Sequence, residues 1–385
     1  MIINLNKDIL DFKENFLNQK PYLFKSSFQN INIDWAYINE VYGRADFSHQ
    51  NFKLMNGYEV PKSEYIESYL NVGVIEHRCI RPVLYEYLRN GATLVHNRIK
   101  NEPLIDHISK QIANFAEAQT IASGYAAFSS KPSYKSHWDT RDVYAVQLLG
   151  RKRWILKKPS FEFPLYMHQT KNFTDIQEPE EVYMDVILEA GDVLYIPRGW
   201  WHNPLPLDGE TFHLAVGTFA PTGFEYMGWL QNLIPSVLGS RKSLSNFEHD
   251  TEAINNLSDQ VADLIKDKNH YQNFMMNYVS EQRVPSMLSL DVLGNGKFTK
   301  LDANQKLRLN ANLLYFFEEG FFIINGNKIN VDEISLKLIQ YLFDHPCSSV
   351  LKILSQFPIY PAEKVNDFLF KLALEDVIEL VIFDL

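Results

Sequence analysis

Three observations on this chain of 385 residues point to a mainly β protein with α additions. Residues 121–220 are strand-rich and punctuated by turn signals at Pro132, Gly150, Gly191 and Gly209, the pattern of a double-stranded β-helix, or jelly-roll barrel. Past Pro221-Thr222-Gly223 the spacing of apolar residues becomes helical. The last segment, 300–385, joins short strands and three short helices in a winged-helix pattern. Three parts are therefore expected, at 1–222, 223–299 and 300–385.

In chain order, residues 1–120 mix helix and strand signals. Asp106–Ala116 has helical spacing at Ile108, Ile112 and Phe115. In the barrel, Asp142–Leu148 reads as a strand, Gly150-Arg151 as a tight turn and Lys152–Leu156 as a returning strand. Residues 160–182 form a polar, charged excursion between barrel strands, placed to cover the mouth of a pocket. Phe224–Leu238 and Asp250–Glu281 read as helices, the second with Ile254, Leu257, Val261, Leu264 and Ile265 on one stripe. In the last segment Phe321–Ile324 and Lys328–Val331 flank a turn at 325–327. Ile334–Phe343, Cys347–Phe357 and Pro361–Glu375 read as helices, and Val377–Phe383 as the final strand.

The chemistry sits in two blocks, His137-Trp138-Asp139 and the run from Gly191 to His202, Gly-Asp-Val-Leu-Tyr-Ile-Pro-Arg-Gly-Trp-Trp-His. Residues i and i+2 of a strand share a face, so one strand can offer His137 and Asp139 to a single ion. His202 follows the strand-like run Val193–Ile196 and a turn at Pro197 and Gly199. Two imidazoles and one carboxylate hold non-haem Fe(II) on one face and leave other positions open for substrate and O2. A His-x-Asp triplet alone is an ordinary strand segment; the Gly-Asp run ending in an aromatic-flanked His has no generic structural explanation. Lys152, near the start of the returning strand, reads by position as a solvated hairpin lysine, with a cation reaching back to a carboxylate bound at such an ion as the second reading.

These residues resemble the JmjC/cupin family of 2-oxoglutarate-dependent oxygenases. The likeness rests on His137-x-Asp139, on Gln147-x-x-Gly150-x-Lys152-x-Trp154, and on Gly191–Pro197 with His202. Phe16–Leu23 and Gly91–Arg98 are similar to segments of the ribosomal oxygenase branch. The Gly191–Pro197 run and the Trp-Trp-His end also resemble the asparaginyl hydroxylase of hypoxia-inducible factor. The resemblance implies Fe(II) at His137, Asp139 and His202, 2-oxoglutarate chelating that iron, and Lys152 paired with the co-substrate's distal carboxylate. It places Ser123 and Tyr125 on the strand before His137, lining the co-substrate and substrate pocket. It places His213 on the strand after His202, facing the pocket. Many relatives carry Asn where Ser123 stands. The resemblance also implies that 223–299 is a helical dimerisation domain and 300–385 a winged-helix domain.

Composition narrows the classes. Apolar residues make up 46% and charged residues 22%, as in an ordinary globular protein. The formal charge is 37 − 47 = −10. That argues against general affinity for nucleic acid or anionic membranes and is compatible with a basic polypeptide substrate. From Lys300 onward the balance is 8 − 12 = −4, which favours protein docking over DNA reading for the winged-helix-like part. Two cysteines, Cys79 and Cys347, imply no disulfide framework. The start of the chain carries no apolar signal-like run, and no apolar run approaches a membrane span, so the cytoplasm is expected.

The function expected is a dioxygenase using Fe(II), 2-oxoglutarate and O2 to hydroxylate a side chain of a protein or peptide, a ribosomal protein in the reading the resemblance favours. The expected partners are that polypeptide and a second copy of the chain, without nucleic acid or membrane. The alternatives are an oxygenase of a small molecule or biosynthetic peptide, and a non-catalytic cupin or winged-helix binding protein.

Overall fold

The computed structural model describes residues 5, 9–28, 33–131, 133–290 and 300–381. The predicted turn at Pro132 and the last two residues of the predicted strand Val377–Phe383 lie outside them. The chain divides into two compact units, 1–219 and 220–383. The second spans both of the segments that the sequence separates at residue 300.

The first unit opens with α1 (Ile9–Asn15), β1 (Tyr22–Phe24), α2 (Trp35–Gly43) and β2 (Phe52–Met55). A short helix α3 (Lys62–Tyr65), a two-stranded hairpin of β3 (Ile66–Asn71) and β4 (Val74–Cys79), and α4 (Arg81–Arg89) follow. Then come β5 (Thr93–His96), α5 (Pro103–Ala116), β6 (Gln119–Ala127), β7 (Asp142–Lys157), β8 (Met184–Leu188), β9 (Val193–Ile196) and β10 (Trp201–Phe219). The main sheet runs β1-β9-β7-β10-β6-β5-β2, with β8 added to β7. Every pairing in it is antiparallel.

The helix predicted at Asp106–Ala116 is α5. Pro103 begins it, where a missing N–H costs nothing, and its Ile105, Ile108, Ile112 and Phe115 are buried at helical spacing. These side chains join one core with Phe12, Phe24, Tyr144 and Tyr195. The Tyr195 hydroxyl donates to Asp142 Oδ2 at 2.6 Å and accepts from the Asn18 N–H at 2.9 Å, so the buried phenol leaves neither group orphaned.

The predicted hairpin at Gly150-Arg151 is not present. β7 is one continuous strand of 16 residues. Residues 142–148 of it are buried on both faces, while from Lys152 to Lys157 burial alternates. Its partner β10 is also continuous, and pairs Phe212–Thr218 with one half of β7 and Trp201–Leu207 with the other. Between the halves β10 bulges around Gly209, so that Gly209 marks an irregularity inside a strand instead of a turn between two. Gly150 lies under that bulge at φ +64, and a Cβ there would stand 2.1 Å from the Glu210 carbonyl oxygen. The glycine signal was real, but it reported a close backbone approach and not a reversal.

The second unit holds α6 (Gly223–Leu230), α7 (Phe247–Lys266) and α8 (Lys268–Glu281). The helix predicted to begin at Phe224 ends at Leu230 and gives way to two 3-10 turns. The helix predicted over Asp250–Glu281 is two helices. Asp267 breaks it, accepting from the Asn269 and His270 N–H groups as the N-cap of α8. Beyond it lie β11 (Lys306–Leu309), β12 (Phe316–Phe317), β13 (Phe321–Ile324), β14 (Asn327–Asn330), α9 (Glu333–Asp344), β15 (Ser348–Ser349), α10 (Val350–Gln356), α11 (Ala362–Leu374) and β16 (Ile378–Val381). The strands form two small sheets, β15-β11-β16 and β12-β13-β14. Leu338, Ile339, Leu342, Ile353, Leu369 and Leu372 from the three helices meet Leu307 and Ile378 in a separate core. No helix among the described residues is long and apolar enough to cross a membrane.

Gly150→Ala should destabilise the first unit by at least about 2 kcal/mol, combining a left-handed backbone angle with a steric overlap against main chain. Gly209→Ala, whose Cβ would meet nothing within 4 Å, should cost clearly less. Urea denaturation midpoints of the two variants decide this, and equal midpoints would remove Gly150 from its assigned role.

Candidate metal centre and its cavity

His137, Asp139 and His202 come together with one ligand atom each, all within 4.8 Å of one another. The first two do not stand on a regular strand. They lie in an extended segment held to the start of β10 by an isolated antiparallel bridge between His137 and His202. The bridge is a pair of backbone hydrogen bonds: His137 N–H donates to the His202 carbonyl at 3.2 Å, and His202 N–H to the His137 carbonyl at 2.8 Å. The Pro-x-Gly turn pins the third residue. Gly199 N–H donates to the Asp139 carbonyl at 3.0 Å. Gly199 itself has φ +86, and a Cβ would stand 2.8 Å from the Phe161 carbonyl oxygen, so only glycine fits. One residue earlier, the Arg198 N–H donates to Asp142 Oδ1.

Backbone also sets the tautomers. His137 Nδ1 lies 2.9 Å from the Lys135 carbonyl oxygen, and His202 Nδ1 lies 3.1 Å from that of Trp200. A carbonyl only accepts, so each Nδ1 carries the proton and each Nε2 presents a lone pair. Burial, with the neighbouring His137, pushes the His202 imidazole down to about 4, which keeps it neutral and ligating. Asp139 stays ionised. Enclosure alone would raise its carboxyl, but His202, Arg141 and His137 outweigh that and hold it below its usual range. Asp139 Oδ2 lies 3.7 Å from His202 Nε2.

A cavity runs inward from these three groups. His202, Pro204 and Pro206 line it from β10, Lys152 and Trp154 from β7, and Tyr125 from β6. Lys152 is 3% exposed and donates to His213 Nδ1 at 3.1 Å, with no carboxylate partner among the described residues. Burial pushes its ammonium down to about 7. His213 is also held neutral, by burial and by Lys152. Its ring stacks on Tyr125 at 4.8 Å and 17°. His213 stands on the same strand as His202, not on a following one. Ser123 shares a face of β6 with Tyr125 but lines the wider outer groove and not this cavity.

Several lining groups were given no role in the sequence. Tyr134 packs 6.1 Å from the His137 ring, and Thr93 and Ser133 share a hydrogen bond of 2.5 Å in the cavity wall. Trp154 was visible only as the last residue of the Gly-x-Lys-x-Trp pattern. Its buried Nε1 has no hydrogen-bond partner among the described residues. No local pattern marks Tyr134 or Ser133, because they reach the site through an irregular segment. The excursion after β7 behaves as expected. Trp138 N–H donates to Thr170 Oγ1 at 3.0 Å, and Trp138 Nε1 donates to the His168 carbonyl at 2.9 Å. Tyr166, Gln169 and Lys171 of that excursion line the outer groove that leads to His137 and Asp139.

Residues 94–226 match the model of the JmjC domain family. Among curated proteins, the chain is 25% identical over 217 residues to ribosomal oxygenase 1 of Danio rerio, covering 54% of this chain and 38% of that one. It is 38% identical over 100 residues to the bifunctional lysine-specific demethylase and histidyl-hydroxylase NO66 of Dictyostelium discoideum, covering 26% of this chain and 19% of that one. The counterpart in Drosophila persimilis is 23% identical over 163 residues, 42% of this chain and 23% of its own length. The matched stretch thus spans well under half of these relatives. Among solved structures, YcfD, a ribosomal oxygenase from Escherichia coli in complex with cobalt and 2-oxoglutarate, aligns with a TM-score of 0.57 at 17% identity over 98% of this chain and 99% of that one. A second structure of the E. coli protein gives a TM-score of 0.60 at 16% identity, over 96% and 97%. Residues 94–226 thus match a JmjC domain, and the chain shares the JmjC/cupin fold of the YcfD structures.

Proposed function

We propose that this protein is an Fe(II)- and 2-oxoglutarate-dependent dioxygenase that hydroxylates a side chain of a protein or peptide in the cytoplasm, with a ribosomal protein as its natural target. The observation that carries the reading is the joint presence, in one cavity, of a His-Asp-His set and a buried lysine without a carboxylate partner among the described residues. Both sets of residues fit the groups they would hold. Two Nε2 lone pairs and one carboxylate suit Fe(II) and leave open positions. A buried ammonium is costly unless paired, and a dicarboxylate reaching from the metal would pair it. Bound together, iron, 2-oxoglutarate and O2 supply the oxidising power to hydroxylate an unactivated C–H bond.

The protein's own residues supply geometry and a dry wall. His137, Asp139 and His202 would hold the metal. Lys152, backed by His213 and Tyr125, binds and orients the co-substrate's distal carboxylate, and the unpaired Trp154 N–H is a further donor on the same face of β7. Ser123 meets substrate at the groove end. The groove is open and wide, which supports an extended polypeptide over a small enclosed molecule. The domain reading is 1–222 as oxygenase, 223–299 for dimerisation and 300–385 as a winged-helix-like domain that docks protein. Exposed Phe224, Met227, Leu244 and Phe247 support a self-association surface. Lys371 on α11 faces Glu375 at 3.7 Å, which reduces its value as a phosphate contact.

Loaded with Fe(II) and given 2-oxoglutarate and a ribosomal protein pool, the enzyme should produce succinate and a +16 Da product; His137→Ala and Asp139→Ala should abolish both and lower metal content. A wild-type protein that consumes no 2-oxoglutarate with any polypeptide refutes the reading.

Because free Lys152 titrates near 7 and its charged form is the one a carboxylate prefers, 2-oxoglutarate should bind more weakly as pH rises above that value. Binding near pH 8 should take up protons. Lys152→Ala should lose that uptake and bind at least ~30-fold more weakly, as expected for loss of a desolvated charge pair. Calorimetry in buffers of different ionisation enthalpy measures both, and unchanged affinity would remove Lys152 from the site.

Light scattering should give twice the monomer mass, with Leu244→Asp/Phe247→Asp shifting it to monomer. A monomeric wild type at all concentrations would exclude dimerisation.

A further inference from the structure

The outer groove carries charge opposite to that of the chain. Five of its lining residues are cationic: Lys53, Arg98, Lys135, Arg141 and Lys171. Its one carboxylate is Asp139, a candidate metal ligand. Lys53 is already held by Glu59 at 2.8 Å. The other four form no ion pair among the described residues, and Arg141 lies over the Phe219 ring at 5.7 Å instead. Arg98, Lys135 and Lys171 are exposed. A chain of net charge −10 has therefore gathered unpaired cations where a substrate must pass to reach His137 and Asp139.

We infer that this groove takes an acidic stretch of polypeptide, with Asp and Glu side chains flanking the residue to be hydroxylated. The inference rests on the oxygenase reading and narrows its target to an acidic segment, a condition that a largely basic ribosomal protein meets only where it exposes such a segment. It reverses what overall charge suggested, because a ligand reads the local field and not the sum over the chain. Like charges facing across a groove repel when it is empty and are neutralised when carboxylates enter, so a basic segment is disfavoured twice. Gln50, Asn51, Asn97 and Gln169 line the same groove and offer side-chain amides to a peptide backbone. A polyphosphate strand would also meet the cations, but its higher charge density is opposed by the acidic remainder of the chain.

The test uses the full-length protein at low salt and three fluorescein-labelled probes of equal length: a Glu/Gly peptide, a Lys/Gly peptide and oligouridylate. Anisotropy should show the Glu/Gly peptide bound most tightly, with affinity falling as salt is added. Arg98→Glu/Lys171→Glu should weaken it about tenfold, while the charge-preserving Arg98→Lys/Lys171→Arg should bind as wild type does. Equal or tighter binding of the Lys/Gly peptide overturns the inference. So does a preference for oligouridylate, which would assign the groove to nucleic acid, and so does an unaffected charge-reversed variant with a wild-type melting curve. Calorimetric binding of 2-oxoglutarate to the same wild-type sample with Mn(II) reports on the oxygenase reading separately. Failure there with the acidic peptide bound removes the oxygenase chemistry; success there with the acidic peptide unbound removes the substrate class.

Discussion

Three backbone hydrogen bonds hold this site together. His137 and His202 exchange two, and Gly199 gives a third to Asp139. They join a segment without regular strand structure to the start of β10, and the ligand atoms converge only because of them. The rest of the first unit serves to fix the two ends of this clasp. β7 and β10 pair on both sides of the bulge at Gly209 and put Lys152 and Trp154 on the same cavity wall as His202. Tyr195 and Asp142 hold β9 against β7 just where the Pro-x-Gly turn leaves the sheet.

The Gly-Asp run that drew attention in the sequence owes its pattern to two different duties. Its final histidine is chemical. Its aspartate is structural: Asp192 is 2% exposed and accepts from the Lys25 ammonium, the Ser26 N–H and the Glu189 N–H. The carboxylate satisfies the turn before β9 and ties the amino-terminal strand to the barrel. A buried charge so fully hydrogen-bonded is costly to disturb from either side. Such a residue looks like a candidate ligand in one dimension and a brace in three.

The three residues that converge were marked by residue type within two short motifs, whereas Lys152 stood out only through the family resemblance. The architecture was legible where patterns were long, as in α5 and the hairpin of β13 and β14. What escaped depended on distant backbone. Gly150 signals a tight turn by its identity, but whether it reverses the chain or passes beneath a bulge depends on residues 208–211, which belong to another strand. The break at Asp267 carried a local sign, an N-cap residue inside an apolar stripe, and the stripe outvoted it. Tyr134 and Ser133 had none. Groove charge was hidden as well: Arg98, Arg141 and Lys171 are far apart in sequence, and their clustering arises only on folding.

The protons on the two imidazoles are held by main-chain oxygens of Lys135 and Trp200, not by side chains. Since carbonyls are common to all residues, the orientation of the rings does not depend on the side chains at those two positions, although Trp200 is itself a buried core residue. A ring orientation carried by the course of the main chain is kept wherever the fold is kept, and the fold here is shared with a solved structure at 17% identity.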